Sequence, residues 1–252
     1  SPANACRAAI KKTLMTAFWG EFIGTMILIL LGNGVVANVL LAKTKGNNGG
    51  LISITLCWGI AVFSGVYVSN ELGGSGHLNP VVSVVQALLG NITWSDTLFY
   101  ILAQFSGAIT GSVLVWLAYR QHYESTTDPE LIRATFCNTP ALRHTVNNLI
   151  TEAIGTFMLI FGALLISPSE IKLGALDALP VALLVVGIGL ALGGPTGYAI
   201  SPARDLGPRI AHAILPIPGK GSSDWNYAWI PVVGPIVGGL LGVALLKALG
   251  LA

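Results

Sequence analysis

The chain has 252 residues, of which 53% are hydrophobic and 10% are charged, and its formal net charge is +2. Because an ordinary soluble domain carries about 25% charged residues, this composition and the mean hydropathy of +0.74 argue strongly against a soluble protein and indicate a membrane protein. The near-neutral charge, without a block of basic residues, gives no indication of a nucleic-acid partner.

Six apolar stretches are long enough to cross the hydrocarbon core of a bilayer, which is about 30 Å thick, as helices. The first follows Arg7, Lys11 and Lys12, as a signal peptide would, but its apolar run is too long and no small-residue cleavage site follows it. We therefore interpret it as a retained helix. The predicted spans are Leu14–Leu41, Leu51–Leu72, Leu98–Tyr119, Leu149–Ile166, Ala178–Leu192 with its flanks, and Ala228–Leu249.

Two further segments begin like helices but are too short to span. Asn79-Pro80 and Ser201-Pro202 each read as an N-cap followed by the first helical residue. The apolar segments Pro80–Leu89 and Pro202–Leu215 would be roughly 15 to 20 Å long at ~1.5 Å per residue, about half a bilayer core. Helix ends at this depth are tolerated only where they line a water-filled cavity or are buried in protein. The sequence therefore predicts two re-entrant half-helices around a pore.

The chain repeats itself. Glu21-Phe22-Ile23-Gly24-Thr25 in the first span recurs as Glu152-Ala153-Ile154-Gly155-Thr156 in the fourth, and the Asn-Pro pair recurs as Ser-Pro. Because each copy carries an odd number of spans, the second must be inverted, so that the half-helices enter from opposite faces and meet near the midplane. We expect one channel domain over residues 1–252, with repeats at about 14–119 and 147–250 and an extracellular connection at about 120–146.

The orientation follows from the positive-inside rule. The basic residues before the first span place the N-terminus in the cytoplasm, and an even number of spans returns the C-terminus, with Lys247, to the same side. Against this, the connection from Arg120 to Thr145 carries three arginines and would lie outside. Short termini without a targeting segment favour a multi-pass protein of a prokaryotic plasma membrane.

The cysteines give no metal or disulfide pattern. Cys6, Cys57 and Cys137 are odd in number and lack the spacing of metal ligands. We expect free thiols that serve in core contacts, and we expect no metal ion or other cofactor.

Several ordered motifs connect the chain to a known family. They are the repeated Glu-x-x-Gly-Thr element, Ser75-Gly76-His77-Leu78-Asn79-Pro80, Gly197-Tyr198-Ala199 leading into Pro202-Ala203-Arg204-Asp205-Leu206-Gly207-Pro208-Arg209, and Gly234-Pro235-Ile236-Val237-Gly238-Gly239. With them the chain resembles the major intrinsic proteins, or aquaporins, and within these the aquaglyceroporins, from Glu21 to about Leu249. The resemblance implies the aquaporin-like all-α fold and a homotetramer. It also implies a passive channel, not an enzyme, that conducts glycerol, other small neutral solutes and water but excludes protons and ions.

The resemblance also implies a selectivity filter. Gly189 would leave room in this filter. The rings of Trp58 and Tyr198 would face the CH2 backbone of a polyol, while the polyol hydroxyls would bind Arg204 and nearby carbonyls. Ser201 stands where the family has Asn, so it offers one donor instead of two. The implied filter residues are Trp58, Gly189, Tyr198 and Arg204, and the implied midplane caps are Asn79 and Ser201.

A narrow pore for neutral solutes needs a row of hydrogen-bond acceptors. By resemblance, these are the carbonyls of Ser75, Gly76, His77, Leu78, Gly197, Tyr198, Ala199 and Ile200, with Glu21, Glu152 and Asp205 as loop supports. The two half-helix N-termini together carry about one positive charge. At ~5 Å and an effective dielectric of ~20 they oppose a cation by about 3 kcal/mol, to which Arg204 adds.

Alternatives remain open at the level of single residues. His77 is either a satisfied buried histidine or a gating group, and Glu21 and Glu152 either bind backbone N–H groups or handle protons. An ion-coupled secondary transporter also has inverted repeats and broken helices, but it needs titratable groups at the midplane. An intramembrane enzyme needs a paired nucleophile and base, which the residues around Ser201 do not provide.

Overall fold

The computed structural model describes residues 14–166 and 174–251. Within these ranges the chain forms ten α-helices and one 3-10 helix, Gly174–Ala178, and no strand. The α-helices are α1 Leu14–Leu40, α2 Gly50–Glu71, α3 Pro80–Leu88, α4 Trp94–Ala118, α5 Arg120–Ser125, α6 Pro129–Ala134, α7 Thr145–Ile166, α8 Leu179–Thr196, α9 Pro202–Ile214 and α10 Ile230–Ala248.

Six of these helices, namely α1, α2, α4, α7, α8 and α10, are long and apolar enough to cross a membrane, which confirms the predicted spans. Two of them begin four residues earlier than predicted, at Trp94 and Thr145, because their first turns are polar and extend beyond the apolar run. In α4, the Thr93 side chain accepts a 3.0 Å hydrogen bond from the Asp96 amide and so caps the helix.

The two half-helices are also confirmed, as α3 and α9. The residue before each proline has extended backbone and caps its helix. The Asn79 side chain accepts a hydrogen bond from the Val81 amide at 3.0 Å, and the Ser201 hydroxyl accepts one from the Arg204 amide at 3.3 Å. A side-chain acceptor at this position satisfies an amide that the helix itself leaves unpaired.

The helix contacts follow the sequence repeat. Helix α1 contacts α2 and α4, as α7 contacts α8 and α10, while α3 and α9 each contact both α4 and α10. A Cβ added at Gly107 would lie 2.3 Å from the Phe22 carbonyl oxygen, and one added at Gly238 would lie 2.1 Å from that of Ala153. Phe22 and Ala153 follow the two repeated glutamates. Glycine is thus required at both of these helix crossings, as in tight membrane helix pairs.

The connection between the repeats is a packed structure that includes α5 and α6. Its side chains Tyr123, Ile132 and Phe136 form a buried cluster with Ala211 and Leu215 at the end of α9. The thiol of Cys137 lies in the same cluster, and burial raises its pKa to about 12. This connection therefore covers the second half-helix.

Some predictions concern residues outside the described part of the chain. These are the basic residues that set the orientation, Arg7, Lys11 and Lys12, and the first cysteine, Cys6. The other two cysteines are free thiols, buried for Cys137 and half-buried for Cys57.

Candidate functional site

The N-termini of the two half-helices meet inside the molecule. The side-chain amide of Asn79 donates a 2.7 Å hydrogen bond to the carbonyl oxygen of Ile200, the residue before the Ser201 cap. Since each helix N-terminus carries roughly half a positive charge, the two partial charges lie close together. The predicted meeting of the caps is therefore present.

Glu21 holds the loop before α3. Its carboxylate is fully buried and accepts hydrogen bonds from the amides of Ser75, His77 and Leu78 at 3.1, 3.0 and 2.8 Å. The Gln104 side chain donates to the same carboxylate at 2.9 Å. Hydrogen bonds to an ionised acceptor are about twice as strong as neutral ones, so this carboxylate fixes the shape of the loop.

Glu152 does the same for the loop before α9. It accepts hydrogen bonds from the amides of Ala199 and Ile200, both at 3.0 Å, and from the Thr196 hydroxyl at 2.7 Å. The side chain is 1% exposed. The repeated glutamate thus has the same backbone partners, two amides just before the cap, in both halves of the chain.

The backbone of the two loops also repeats. Positive φ angles occur three residues and one residue before each cap, at Gly76 (65°) and Leu78 (51°) in the first loop and at Tyr198 (41°) and Ile200 (46°) in the second. Non-glycine residues in this region store about 1–3 kcal/mol of strain each and persist only where their surroundings hold them. Here the glutamate carboxylates supply that restraint.

The direction of several carbonyls follows from these bonds. No described peptide is cis, and in a trans peptide the N–H and the preceding C=O point in opposite directions. Since the amides of His77 and Leu78 face Glu21, the carbonyls of Gly76 and His77 face away from it. The same reasoning at Glu152 turns the carbonyls of Tyr198 and Ala199 away from that carboxylate.

A cavity of about 300 Å³ is lined by all four of these residues, whereas Glu21 and Glu152 do not line it. Apolar side chains of α2 and α8, such as Val62 and Val185, also line it. It contains both caps and most of the residues predicted to line a pore; Gly189 and Gly197 do not line it. Those that do are Ser75, Gly76, His77, Leu78, Tyr198, Ala199, Ile200, Trp58 and Arg204.

Trp58 and Arg204 are in direct contact in the wall of this cavity. The guanidinium carbon of Arg204 lies 4.5 Å from the centroid of the Trp58 ring, a cation–π geometry. Arg204 is 9% exposed, and its Nη1 has no hydrogen-bond partner within the described residues. Arg204 therefore lines the cavity while keeping one buried donor unpaired.

Gly189 lies behind the Tyr198 ring. A Cβ at this position would be 2.7 Å from Cζ of Tyr198 and 2.5 Å from Cγ2 of Thr55, and a Cβ at Gly193 would be 2.7 Å from Cδ1 of the same ring. The space that these glycines leave is therefore occupied by the ring of Tyr198, which itself lines the cavity.

Asp205 joins the start of α9 to the connection between the repeats. It accepts a hydrogen bond from the Asn138 amide at 2.7 Å and forms a fully buried ion pair with Arg209 at 2.9 Å. The Asn138 side chain in turn donates to the carbonyl of Thr196 at 2.8 Å, and the Thr196 hydroxyl donates to Glu152. Asn138 and Gln104 were not among the predicted site residues. Gln104 lies within the spanning helix α4, where a polar side chain is itself a signal of function, whereas Asn138, in the connection between the repeats, carries no such signal.

His77 lines the cavity and is held on two sides. Its Nδ1 lies 3.0 Å from the Ser83 hydroxyl, and its ring packs edge-on against Tyr100 at 5.1 Å between centroids. Gln104 donates to the same Ser83 hydroxyl at 2.9 Å and to the Glu21 carboxylate at 2.9 Å, so His77 belongs to a hydrogen-bonded chain that leads to the loop support.

Comparisons with known proteins cover the whole of this site. The family Major intrinsic protein matches residues 8–246. The chain is 54% identical to the glycerol uptake facilitator protein of Streptococcus pneumoniae (strain ATCC BAA-255 / R6) over 91% of this chain and 97% of that protein. It is 52% identical to the probable glycerol uptake facilitator protein of Thermotoga maritima over 92% and 98%, respectively. The solved structure of the aquaglyceroporin from Plasmodium falciparum superposes with a TM-score of 0.83 at 29% identity, covering 95% of this chain and all of that one.

Proposed function

The chain belongs to the major intrinsic protein family, and we propose that it is a passive channel that conducts glycerol and other small neutral solutes together with water. One observation supports this function above all. The cavity between the two half-helix N-termini is lined both by loop residues whose carbonyls turn away from the buried glutamates and by apolar side chains. A polyol carries hydroxyls and CH2 groups, and this mixed lining offers contacts to both.

We assign the selectivity filter to Trp58, Tyr198 and Arg204, with Gly189 providing the seat for the Tyr198 ring. The Arg204 guanidinium lies over the Trp58 ring at the wall of the cavity. In this assignment the guanidinium donates to solute hydroxyls, while the two rings cover the solute's carbon atoms. A permeant thus exchanges hydrogen bonds with water for hydrogen bonds with the protein without entering a deep energy well.

The acceptors along the path are assigned to the predicted loop carbonyls whose residues line the cavity, which leaves out Gly197, and the loop supports to Glu21, Glu152 and Asp205. At the midplane, Asn79 uses one of its two N–H donors on Ile200, which leaves the second for a permeating molecule. Ser201 contributes its hydroxyl. These donors, the two helix N-termini and Arg204 together oppose the passage of protons and cations.

A homotetramer in the plasma membrane, with both termini in the cytoplasm, completes the proposal. Large apolar side chains remain exposed on the outer faces of the spanning helices, for example Ile52 at 65% and Leu183 at 60%. Lipid and neighbouring subunits are the surroundings that such faces require.

Ion-coupled transport is the alternative, and the geometry does not favour it. Coupling needs a titratable group that can exchange protons or cations with the lumen. The carboxylates of Glu21 and Glu152 do not line the cavity, and both accept several hydrogen bonds from the backbone. His77 and Asp177 do line it, but His77 is held by Ser83 and Tyr100, and Asp177 lies in the 3-10 helix that precedes α8. We therefore assign the two glutamates to loop support.

Stopped-flow light scattering on proteoliposomes tests the function directly. We expect glycerol flux that rises almost linearly with the gradient and does not respond to an uncoupler. Val62→Trp, which adds bulk inside the cavity, should abolish flux, whereas Ile60→Trp, on a face of the same helix that is 58% exposed, should leave it unchanged. Saturation at low millimolar glycerol, or accumulation driven by a proton gradient, would establish the transporter instead.

A further inference from the structure

Thr55 lies directly behind the proposed filter. It is fully buried and sits one helical turn before Trp58 on α2, so the two side chains share a face of that helix. Thr55 does not line the cavity. Any influence on a permeating solute must therefore act through a neighbour.

That neighbour is Tyr198. A Cβ at Gly189 would lie 2.5 Å from Cγ2 of Thr55 and 2.7 Å from Cζ of Tyr198, the carbon that carries the phenol oxygen. The threonine side chain and the hydroxyl end of the tyrosine ring therefore meet over Gly189. The two side chains are close enough for their hydroxyls to interact across this gap.

Neither hydroxyl has another partner. Tyr198 Oη and Thr55 Oγ1 are both buried, and within the described residues neither makes a hydrogen bond of regular geometry. Other helical threonines bind the carbonyl four residues earlier in their own helix, as Thr110, Thr151 and Thr156 do at 2.9 Å. Thr55 does not use that option, so its hydroxyl is left for that of Tyr198.

We propose that Thr55 is a positioning residue for the selectivity filter: its hydroxyl anchors the hydroxyl of Tyr198 and thereby sets how far the Tyr198 ring extends into the lumen. This inference rests on the proposed channel function and on the assignment of Tyr198 to the filter. It adds a specificity determinant that does not touch the solute.

The backbone and the glycines explain why one hydroxyl contact has this effect. Tyr198 has a φ of 41°, which fixes where its side chain leaves the loop, and Gly189 and Gly193 leave a flat seat for its ring. A buried hydroxyl that loses its partner is costly. Without Thr55, the phenol gains a new partner by turning toward the lumen, where permeating molecules pass, and the lumen becomes narrower.

A double-mutant cycle tests the pair. The variants are Thr55→Val, Thr55→Ser, Tyr198→Phe and the double variant Thr55→Val with Tyr198→Phe, each measured in proteoliposomes for glycerol and water permeability. We expect Thr55→Val to lower the ratio of glycerol to water permeability roughly 3- to 10-fold, the effect of about one hydrogen bond. Thr55→Ser, which keeps the hydroxyl, should retain the wild-type ratio.

The decisive result is the coupling between the two sites. In the Tyr198→Phe background, where no phenol needs a partner, Thr55→Val should change the ratio less than twofold. Equal effects of Thr55→Val in both backgrounds, or a Thr55→Ser variant that behaves like Thr55→Val, would overturn the inference. If Thr55→Val alone yields no functional protein, the double variant must still conduct, with the ratio of the Tyr198→Phe single variant. Absence of glycerol flux in the wild type would instead refute the channel function.

Discussion

The side-chain amide of Asn79 lies 2.7 Å from the carbonyl oxygen of Ile200, so the cap of the first half-helix is bonded to the loop that leads into the second. This bond joins the two repeats at the point where their helix N-termini meet. Ser201, at the equivalent position of the second repeat, has no amide with which to return the bond. The midplane is therefore asymmetric, with one fixed amide and one small hydroxyl.

Glu152→Gln tests the support of the second loop. The amides of Ala199 and Ile200 bind different oxygens of the carboxylate. A glutamine keeps one of these acceptors and replaces the other by an NH2 group, so one of the two buried N–H groups loses its partner. We expect a loss of about 1–3 kcal/mol in stability and a lower glycerol flux. Thermal unfolding in detergent and stopped-flow flux measure the two effects.

Glu124→Gln is the matched control, because its side chain is 52% exposed and makes only a surface ion pair with Arg120; surface pairs are worth ~0–1 kcal/mol. A stable Glu152→Gln protein that conducts passively but has lost a pH-dependent uptake would contradict the support role and identify Glu152 as a proton carrier.

Gly189→Ala tests the seat of the Tyr198 ring. The added methyl group would lie 2.7 Å from Cζ of Tyr198 and 2.5 Å from Thr55, so the ring must move toward the lumen. We expect glycerol flux to fall more than water flux, and Gly189→His to do so more strongly. Gly187→Ala on the same helix is the control, since a Cβ there meets nothing within 4 Å. Equal losses of both fluxes, or no loss, would show that this seat does not set the filter.

The sequence predicted the spans and half-helices because each depends on local signals. An apolar run of sufficient length and an Asn-Pro or Ser-Pro cap need no knowledge of the rest of the chain. The start of α4 at Trp94 was missed since its first turn is polar and is defined by the Thr93 cap. A supporting role for Glu21 and Glu152 could be proposed from the sequence because the repeat places them at equivalent positions.

Long-range contacts account for what the sequence did not predict. The Asn138 amide meets Asp205 across 67 positions, and nothing near Asn138 in the sequence indicates that pairing. Gly189 was expected to leave room in the filter, but the sequence does not show which side chain fills that room. The Tyr198 ring, which comes from a distant loop with a positive φ, lies against Gly189.

Asn138→Ala tests the hydrogen bond between the connection of the two repeats, which contains Asn138, and Thr196 at the end of α8. The substitution removes the donor that binds the Thr196 carbonyl at 2.8 Å and leaves that buried acceptor unpaired, at a cost of about 1–3 kcal/mol. We expect a lower thermal stability and a changed ratio of glycerol to water flux, because Thr196 also binds Glu152.

The control is Asn147→Ala, because Asn147 is an exposed asparagine in the first turn of α7. This substitution should leave the thermal stability and the ratio of glycerol to water flux unchanged. If Asn138→Ala alters the thermal stability but not the flux ratio, Asn138 holds the connection between the repeats in place without influencing the filter.

Ser201→Asn tests the asymmetric midplane. Asparagine is an equally good N-cap, and by the symmetry of the repeat its amide can donate to the Leu78 carbonyl as Asn79 donates to that of Ile200. We expect a gain of about 0.5–1.5 kcal/mol in stability from one net hydrogen bond and glycerol flux within severalfold of the wild type.

Ser201→Ala loses the 3.3 Å cap to the Arg204 amide and should cost about 1 kcal/mol of stability together with some permeability. Flux measurements with a pH-sensitive dye inside the vesicles report solute and proton passage for both variants. Loss of all conduction in Ser201→Asn would mean that the second half-helix has no room for the larger cap, and the carbonyl assignments on that side would then be wrong.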